Sequence, residues 1–228
     1  MYLGEFKLII RILTYISRFL ALLIVLPIHE FAHAFAAIKN GDNTPKFYNR
    51  YTINPLAHFD LIGLACFLFV GFGWAKPVPV NPSNFRNYKK GCFFVSIAGV
   101  LANYITAFIF YPLYILSVVY LPTFGYFTTV INTTLYLIYM FSLSFFVFNL
   151  LPIYPLDGFR VLDVFVKKRN SLYWFLKTKG IYVLYALFAL SILADATGLY
   201  YLDVLGNIIK FATTYLALPI TSFWGLFI

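Results

Sequence analysis

Residues 19–38 read FLALLIVLPIHEFAHAFAAI, and the fold follows from this stretch. A helix rises about 1.5 Å per residue, so a run of this length spans a hydrocarbon core of about 30 Å. The run stops at Lys39-Asn40-Gly41, a helix-ending triplet. Within it lie His29, Glu30 and His33. Two imidazoles and a carboxylate are costly to desolvate in a membrane helix unless metal, water or partners compensate.

The whole chain supports a membrane setting. Of its 228 residues 62% are hydrophobic and only 11% charged, too few polar groups to cover a water-facing surface. The sequence therefore predicts an all-α polytopic membrane protein forming one unit, residues 1–228. Its 19 Tyr suit the membrane–water boundary, where ring and hydroxyl each find their medium. The net charge of +9 sits mostly between apolar runs, so lipid headgroups and topology explain it, and no nucleic-acid partner is expected. Cys66 and Cys92 form no metal-binding pair or disulfide framework and read as small buried hydrophobes. The first apolar stretch runs into HEFAH rather than into a cleavage site, and reads as an uncleaved first helix.

Outward from the first span, Lys7, Arg11 and Arg18 share one helical face, so residues 3–17 read as an amphipathic, interfacial start to that helix. Residues 39–60 are polar and turn-rich. Leu61–Ala75 is apolar but 15 residues long, with Gly63, Gly71 and Gly73, which suits a re-entrant segment better than a crossing. KPVPVNPSNFRN follows, and Pro77, Pro79 and Pro82 favour extended chain. Further spans are read at 91–121 and 129–151, with a turn at 122–125 between them. Residues 159–179 are basic, and two apolar stretches close the chain at 180–194 and 201–227. The expectation is five to six transmembrane helices, with a catalytic core at about 19–165 and C-terminal helices at 180–228.

Charge segregates if Leu61–Ala75 returns to its own side. Residues 39–90 then carry seven Lys and Arg and residues 157–179 carry six, against none in 122–128 and 195–203. The positive-inside rule makes the richer face cytoplasmic, in the cell membrane, and leaves Lys7, Arg11 and Arg18 on the other side.

The chain has three His and two Glu, and His29-Glu30-Phe31-Ala32-His33 gathers most of them. On a helix, positions i and i+4 share a face, so both imidazoles can hold one Zn²⁺. Glu30 can act on a water at that metal as general base and then acid. A catalytic zinc takes a third protein ligand from elsewhere. His58 and the acidic residues near the spans are the choices. Asp157 stands out because Pro152 and Pro155 break the preceding helix and can aim it inward. Asn103 and Asn149 are amides inside apolar spans, suited to helix–helix bonding or to positioning a scissile peptide and its oxyanion. His58 could serve as an interfacial hydrogen-bonding, supporting or gating group.

These motifs resemble the site-2 protease family of zinc intramembrane metalloproteases over most of residues 20–165. HEFAH is similar to the family's HExxH. NLLPIYPLDG is similar to its second motif, which implies Asp157 as the third ligand of one Zn²⁺ per chain. SIAGVLAN, ending in Asn103, is similar to its A-G-P-x-x-N helix. GDNTP, NPLAHFDLIG and GFGWAKPVPVNPSNFRN resemble the compact prokaryotic branch without a PDZ domain. Val100 and Leu61 stand where that pattern often has Pro. The resemblance implies hydrolysis of peptide bonds in transmembrane segments of other proteins, with the active site toward the cytoplasmic side. A metal-binding transporter or channel is the rival class. It would need a continuous polar route, whereas the polar groups here cluster. An inactive binding descendant would not need Glu30, and di-iron enzymes need more His.

Overall fold

In a bilayer the backbone must satisfy its own hydrogen bonds, and helices do this within one segment. The computed structural model describes residues 3–123 and 125–228, so Phe124 of the expected 122–125 turn lies outside the described residues. Helix α1 is Leu3–Lys39, α2 Thr44–Phe47, α3 Pro55–His58, α4 Leu61–Val70 and α5 Tyr88–Tyr120. Then come α6 Tyr126–Leu150, α7 Asp157–Phe165, α8 Ser171–Thr197 and α9 Val204–Trp224. Five of these, α1, α5, α6, α8 and α9, are long and apolar enough to cross a membrane. The fold is an all-α polytopic membrane protein.

Helix α1 has 37 residues. At about 1.5 Å each it is longer than a bilayer core, so the expected interfacial start is continuous with the span and reaches beyond it. Helices α1, α5 and α6 pack together as the central layer. Ala21 and Val25 meet Ile138 between α1 and α6, and the small alanine permits close approach. Ala107 and Leu143 meet Ile220 where α9 joins α5 and α6. Pro112 lies inside α5 and has no N–H for the carbonyl four residues back. That carbonyl, of Phe108, instead accepts the Trp224 indole N–H at 2.9 Å. Helix α8 lies outside, packed on α9.

Helix α8 begins at Ser171, nine positions before the apolar stretch read at 180–194. The Asn170 side chain caps it by accepting from Tyr173 N–H, and Lys177 lies over the Tyr173 and Trp174 rings. Capping and aromatic contacts thus carry the helix through residues that look like a basic loop.

Leu61–Ala75 forms a re-entrant hairpin. Asp60 caps α4 by accepting from Gly63 N–H, and Gly71 ends it with φ of 91°. The chain then turns back, and Phe59 bridges antiparallel to Ala75. Lys76 N–H donates to the His58 carbonyl at 2.7 Å. The two ends lie side by side, so the segment returns to the side it left. A side chain at Gly63 would put Cβ 2.1 Å from the Trp74 carbonyl oxygen, so the arms close only with glycine there. Arg18 donates to the Leu68 carbonyl in the last turn of α4 at 3.4 Å, which gives that cation a role in the hairpin.

Asp42 ties the loops below the spans. It is fully buried, and its carboxylate accepts from Thr44 N–H, Asn81 N–H (2.7 Å) and the Asn84 amide (2.8 Å), as well as the Thr44 hydroxyl. Burial works to raise its carboxyl, and these donors override it and hold the carboxyl below the usual range. Stabilisation from this carboxylate is therefore present above its unfolded pKa and lost as pH falls through the lower folded value. Asp42→Ala leaves three backbone and amide donors unmet, and we expect it to lower Tm in detergent by roughly 5 °C at neutral pH. The gap from the unsubstituted protein should narrow as pH drops below about 4 in differential scanning fluorimetry. A gap independent of pH would rule out the charged carboxylate as its source.

Candidate active site

Helix α1 presents His29 and His33 on one face, one turn apart. Helix α5 supports both rings. His33 Nδ1 donates to the Val95 carbonyl at 2.7 Å, which requires a proton on Nδ1 and, in the neutral ring, leaves Nε2 a lone pair. The Asn103 amide meets His29 Nδ1 at 3.1 Å. With its oxygen toward the ring, Asn103 accepts the Nδ1–H and again leaves Nε2 bare; turned the other way, its buried Oδ1 has no partner. Gly99 lies one turn before Asn103 on α5. A Cβ there would sit 2.3 Å from His33 Nε2, so only glycine lets α5 come this close.

Asp157 arrives from the other end of the chain. Helix α6 stops at Leu150, the Leu151–Leu156 loop carries Pro152 and Pro155, and α7 starts at Asp157. A carboxylate in the first helical turn suits the helix dipole. Gly158 lets α7 press on the end of α6, since a Cβ there would lie 2.2 Å from the Leu150 carbonyl oxygen. Asp157 Oδ2 then stands 3.1 Å from His33 Nε2 and 3.5 Å from His29 Nε2, and the two Nε2 atoms are 3.0 Å apart.

These three residues form a group able to hold a metal ion. Ligands about 2.0–2.1 Å from a tetrahedral zinc stand roughly 3.3 Å apart, close to the spacings here. Asp157 Oδ2 is buried without a hydrogen-bond donor, as a ligating oxygen would be. The donor set, two nitrogens and one carboxylate oxygen, also fits a catalytic zinc.

Glu30 is buried beside the group, and its Oε2 accepts from Val78 N–H at 3.1 Å. The extended segment after the hairpin thus holds the acid directly. Glu30, His29, His33 and Asp157 line one cavity of about 120 Å³ with Val78, Val80, Asn149 and Arg160. Asn149 spends one amide hydrogen on the Phe145 carbonyl of its own helix. Asn103 is fully buried behind His29 and does not line the cavity. His58 stands apart: it is fully buried, and its Nε2 meets the Thr52 carbonyl at 2.7 Å at the hairpin base.

Four contacts escaped sequence reasoning: the Val95 carbonyl, Gly99, Val78 N–H and Arg160. Gly99 shares a helical face with Asn103, and Arg160 lies one turn after Asp157, so spacing from a known site residue could have found both. The two backbone groups have no side-chain signal.

Sequence comparison relates part of this chain to known metallopeptidases. The description of Peptidase family M50 matches residues 125–193, which include Asp157. A Bacillus subtilis (strain 168) protein named Putative zinc metalloprotease YwhC is 39% identical over 145 residues, covering 63% of this chain and 66% of that one. The match thus spans just under two thirds of that relative. No solved structure matches the chain. Over these residues the chain is similar to peptidase family M50.

Asn103→Ala should weaken metal affinity ~10–100-fold, measured by chelator competition, because His29 loses the partner that fixes its ring. Gly99→Val should lose the metal altogether. Unchanged affinity in both would show that α5 does not set the ligand geometry.

Proposed function

We propose that this chain is a zinc-dependent endopeptidase that cleaves peptide bonds within or near transmembrane segments of other membrane proteins. The observation that carries this is the grouping of His29, His33 and Asp157 with a buried, backbone-anchored Glu30 on one small cavity. His29, His33 and Asp157 would hold one Zn²⁺. Bound there, zinc supplies Lewis acidity, lowering the pKa of a water and polarising a peptide carbonyl.

The remaining work falls to the protein's own groups. Val78 N–H fixes one oxygen of Glu30, and the other has no partner among the described residues. Glu30 takes a proton from the attacking water and returns it to the leaving amine. Asn149 retains an amide hydrogen for a substrate carbonyl or its developing oxyanion. Asn103 acts through His29 as a positioning residue. His58 acts at the hairpin base, where it steadies the segment leading to Val78. A substrate helix must unwind before attack, and the extended Lys76–Asn81 stretch offers a strand edge to hold it.

The metal group lies six to ten residues before Lys39, roughly 9–15 Å along α1. With the basic face cytoplasmic, the site sits below the cytoplasmic surface of the cell membrane. Residues 1–228 act as one membrane-embedded unit in contact with the bilayer, the core at about 19–165 and the C-terminal helices at 180–228 closing its flank.

Glu30→Gln should reduce cleavage of a membrane substrate at least ~10³-fold while metal content stays at one zinc per chain, checked by gel assay and elemental analysis. Full cleavage by this variant would end the assignment. Zinc uptake into vesicles by the same protein would favour the transporter instead.

A further inference from the structure

A second and larger cavity, of about 580 Å³, opens beside the catalytic one. The two share Val78, Val80 and Arg160 as lining, so they adjoin along the Val78–Val80 chain. One wall is the extended Val78–Pro82 chain. The start of α5, helix α7 and the start of α8 complete it. A segment leaving the catalytic cavity in extended form therefore meets a wall that is itself extended.

The lining is strongly cationic. Lys89, Arg160, Lys167, Arg169 and Lys177 all contribute, against a single acid, Asp163. Asp163 is already engaged, with Arg169 at 3.2 Å and the Tyr173 hydroxyl donating to it. Lys177 donates to the Tyr173 hydroxyl at 3.2 Å, and Arg160 stands 4.0 Å from Asp157. Lys89 and Lys167 have no acidic partner among the described residues. An unneutralised set of cations beside an active site attracts a negatively charged chain.

A neighbouring apolar cleft, lined by Lys89, Lys90 and Lys167 with Phe93, Phe94 and Phe165, faces outward from the same region. Of the groove and this cleft, the groove alone carries Arg160, Arg169 and Lys177, and it is the one that adjoins the catalytic cavity. That adjacency favours a peptide over a lipid headgroup as the groove's occupant.

We infer that the groove binds the part of the protein substrate flanking the scissile bond on this face, and that it selects substrates with acidic residues there. This rests on the endopeptidase reading above, since it names that enzyme's substrate class.

The test uses the full chain in phosphatidylcholine nanodiscs and a fluorescein-labelled extended decapeptide carrying four Asp and Glu, with its Asn/Gln counterpart as control. Anisotropy should show the acidic peptide binding at least ~10-fold more tightly. The Lys89→Glu/Lys167→Glu/Lys177→Glu variant should lose that preference and instead take up a Lys-rich peptide, which also shows that the variant is folded. Because Cys92 lines the groove, the acidic peptide should slow its maleimide labelling in a Cys66→Ser background. Equal binding of acidic and neutral peptides overturns the inference. So does an unaltered preference in the triple variant, or a variant defect confined to phosphatidylglycerol nanodiscs, which would assign the cations to lipid. Glu30→Gln should bind the acidic peptide undiminished. A chain that selects this peptide yet cleaves no membrane protein refutes the endopeptidase reading, and one that cleaves without regard to acidic flanks refutes the groove alone.

Discussion

Two imidazole nitrogens and a carboxylate oxygen converge within hydrogen-bonding distance of one another. Lone pairs held so close repel, and in a low-dielectric interior little screens that repulsion. A cation among them relieves that repulsion, and much of the fold serves to hold the three groups together. The Val95 carbonyl fixes the His33 ring proton on the far side, and the Asn103 amide holds the His29 ring. Gly99 removes the side chain that would push α5 away. Gly158 lets α7 dock under α6, so that Asp157 arrives at the right depth.

The hairpin and the segment after it answer a different need. The acid at the site must be held in orientation inside a membrane, where an unpaired carboxylate is costly. A backbone N–H from Val78 meets that need, and proline on both sides of Val78 keeps the segment extended. Because Phe59 pairs with Ala75 and Lys76 with His58, the position of Val78 depends on closure of the hairpin, and closure depends on Gly63. A change far from the metal group can therefore reach Glu30 through one strand of backbone.

Much of this was legible in the sequence, and for identifiable reasons. HEFAH declares itself because helical periodicity puts both imidazoles on one face. The hairpin declared itself through length, since Leu61–Ala75 is too short to cross. Asp157 was singled out by its prolines, and the family resemblance, rather than spacing, marked it as a candidate ligand, because no local rule links residues so far apart in the chain. The start of α8 was hidden because Lys177 and Lys179 look like loop residues until their aromatic partners are seen. Val78 N–H and the Val95 carbonyl were hidden in principle: a backbone group has the same chemistry at nearly every residue, and only tertiary structure decides which one is used.

The bond between Trp224 and the Phe108 carbonyl links the last helix to the middle of α5. Synthesis runs from the N-terminus, so α5 enters the bilayer well before α9 exists. During that interval the carbonyl freed by Pro112 lacks its eventual donor in a medium that supplies almost none. Helix α5 thus begins its life in the membrane incomplete, and the indole near the carboxyl end of the protein finishes it. The order of synthesis therefore leaves this hydrogen bond to be made only once α9 is in place.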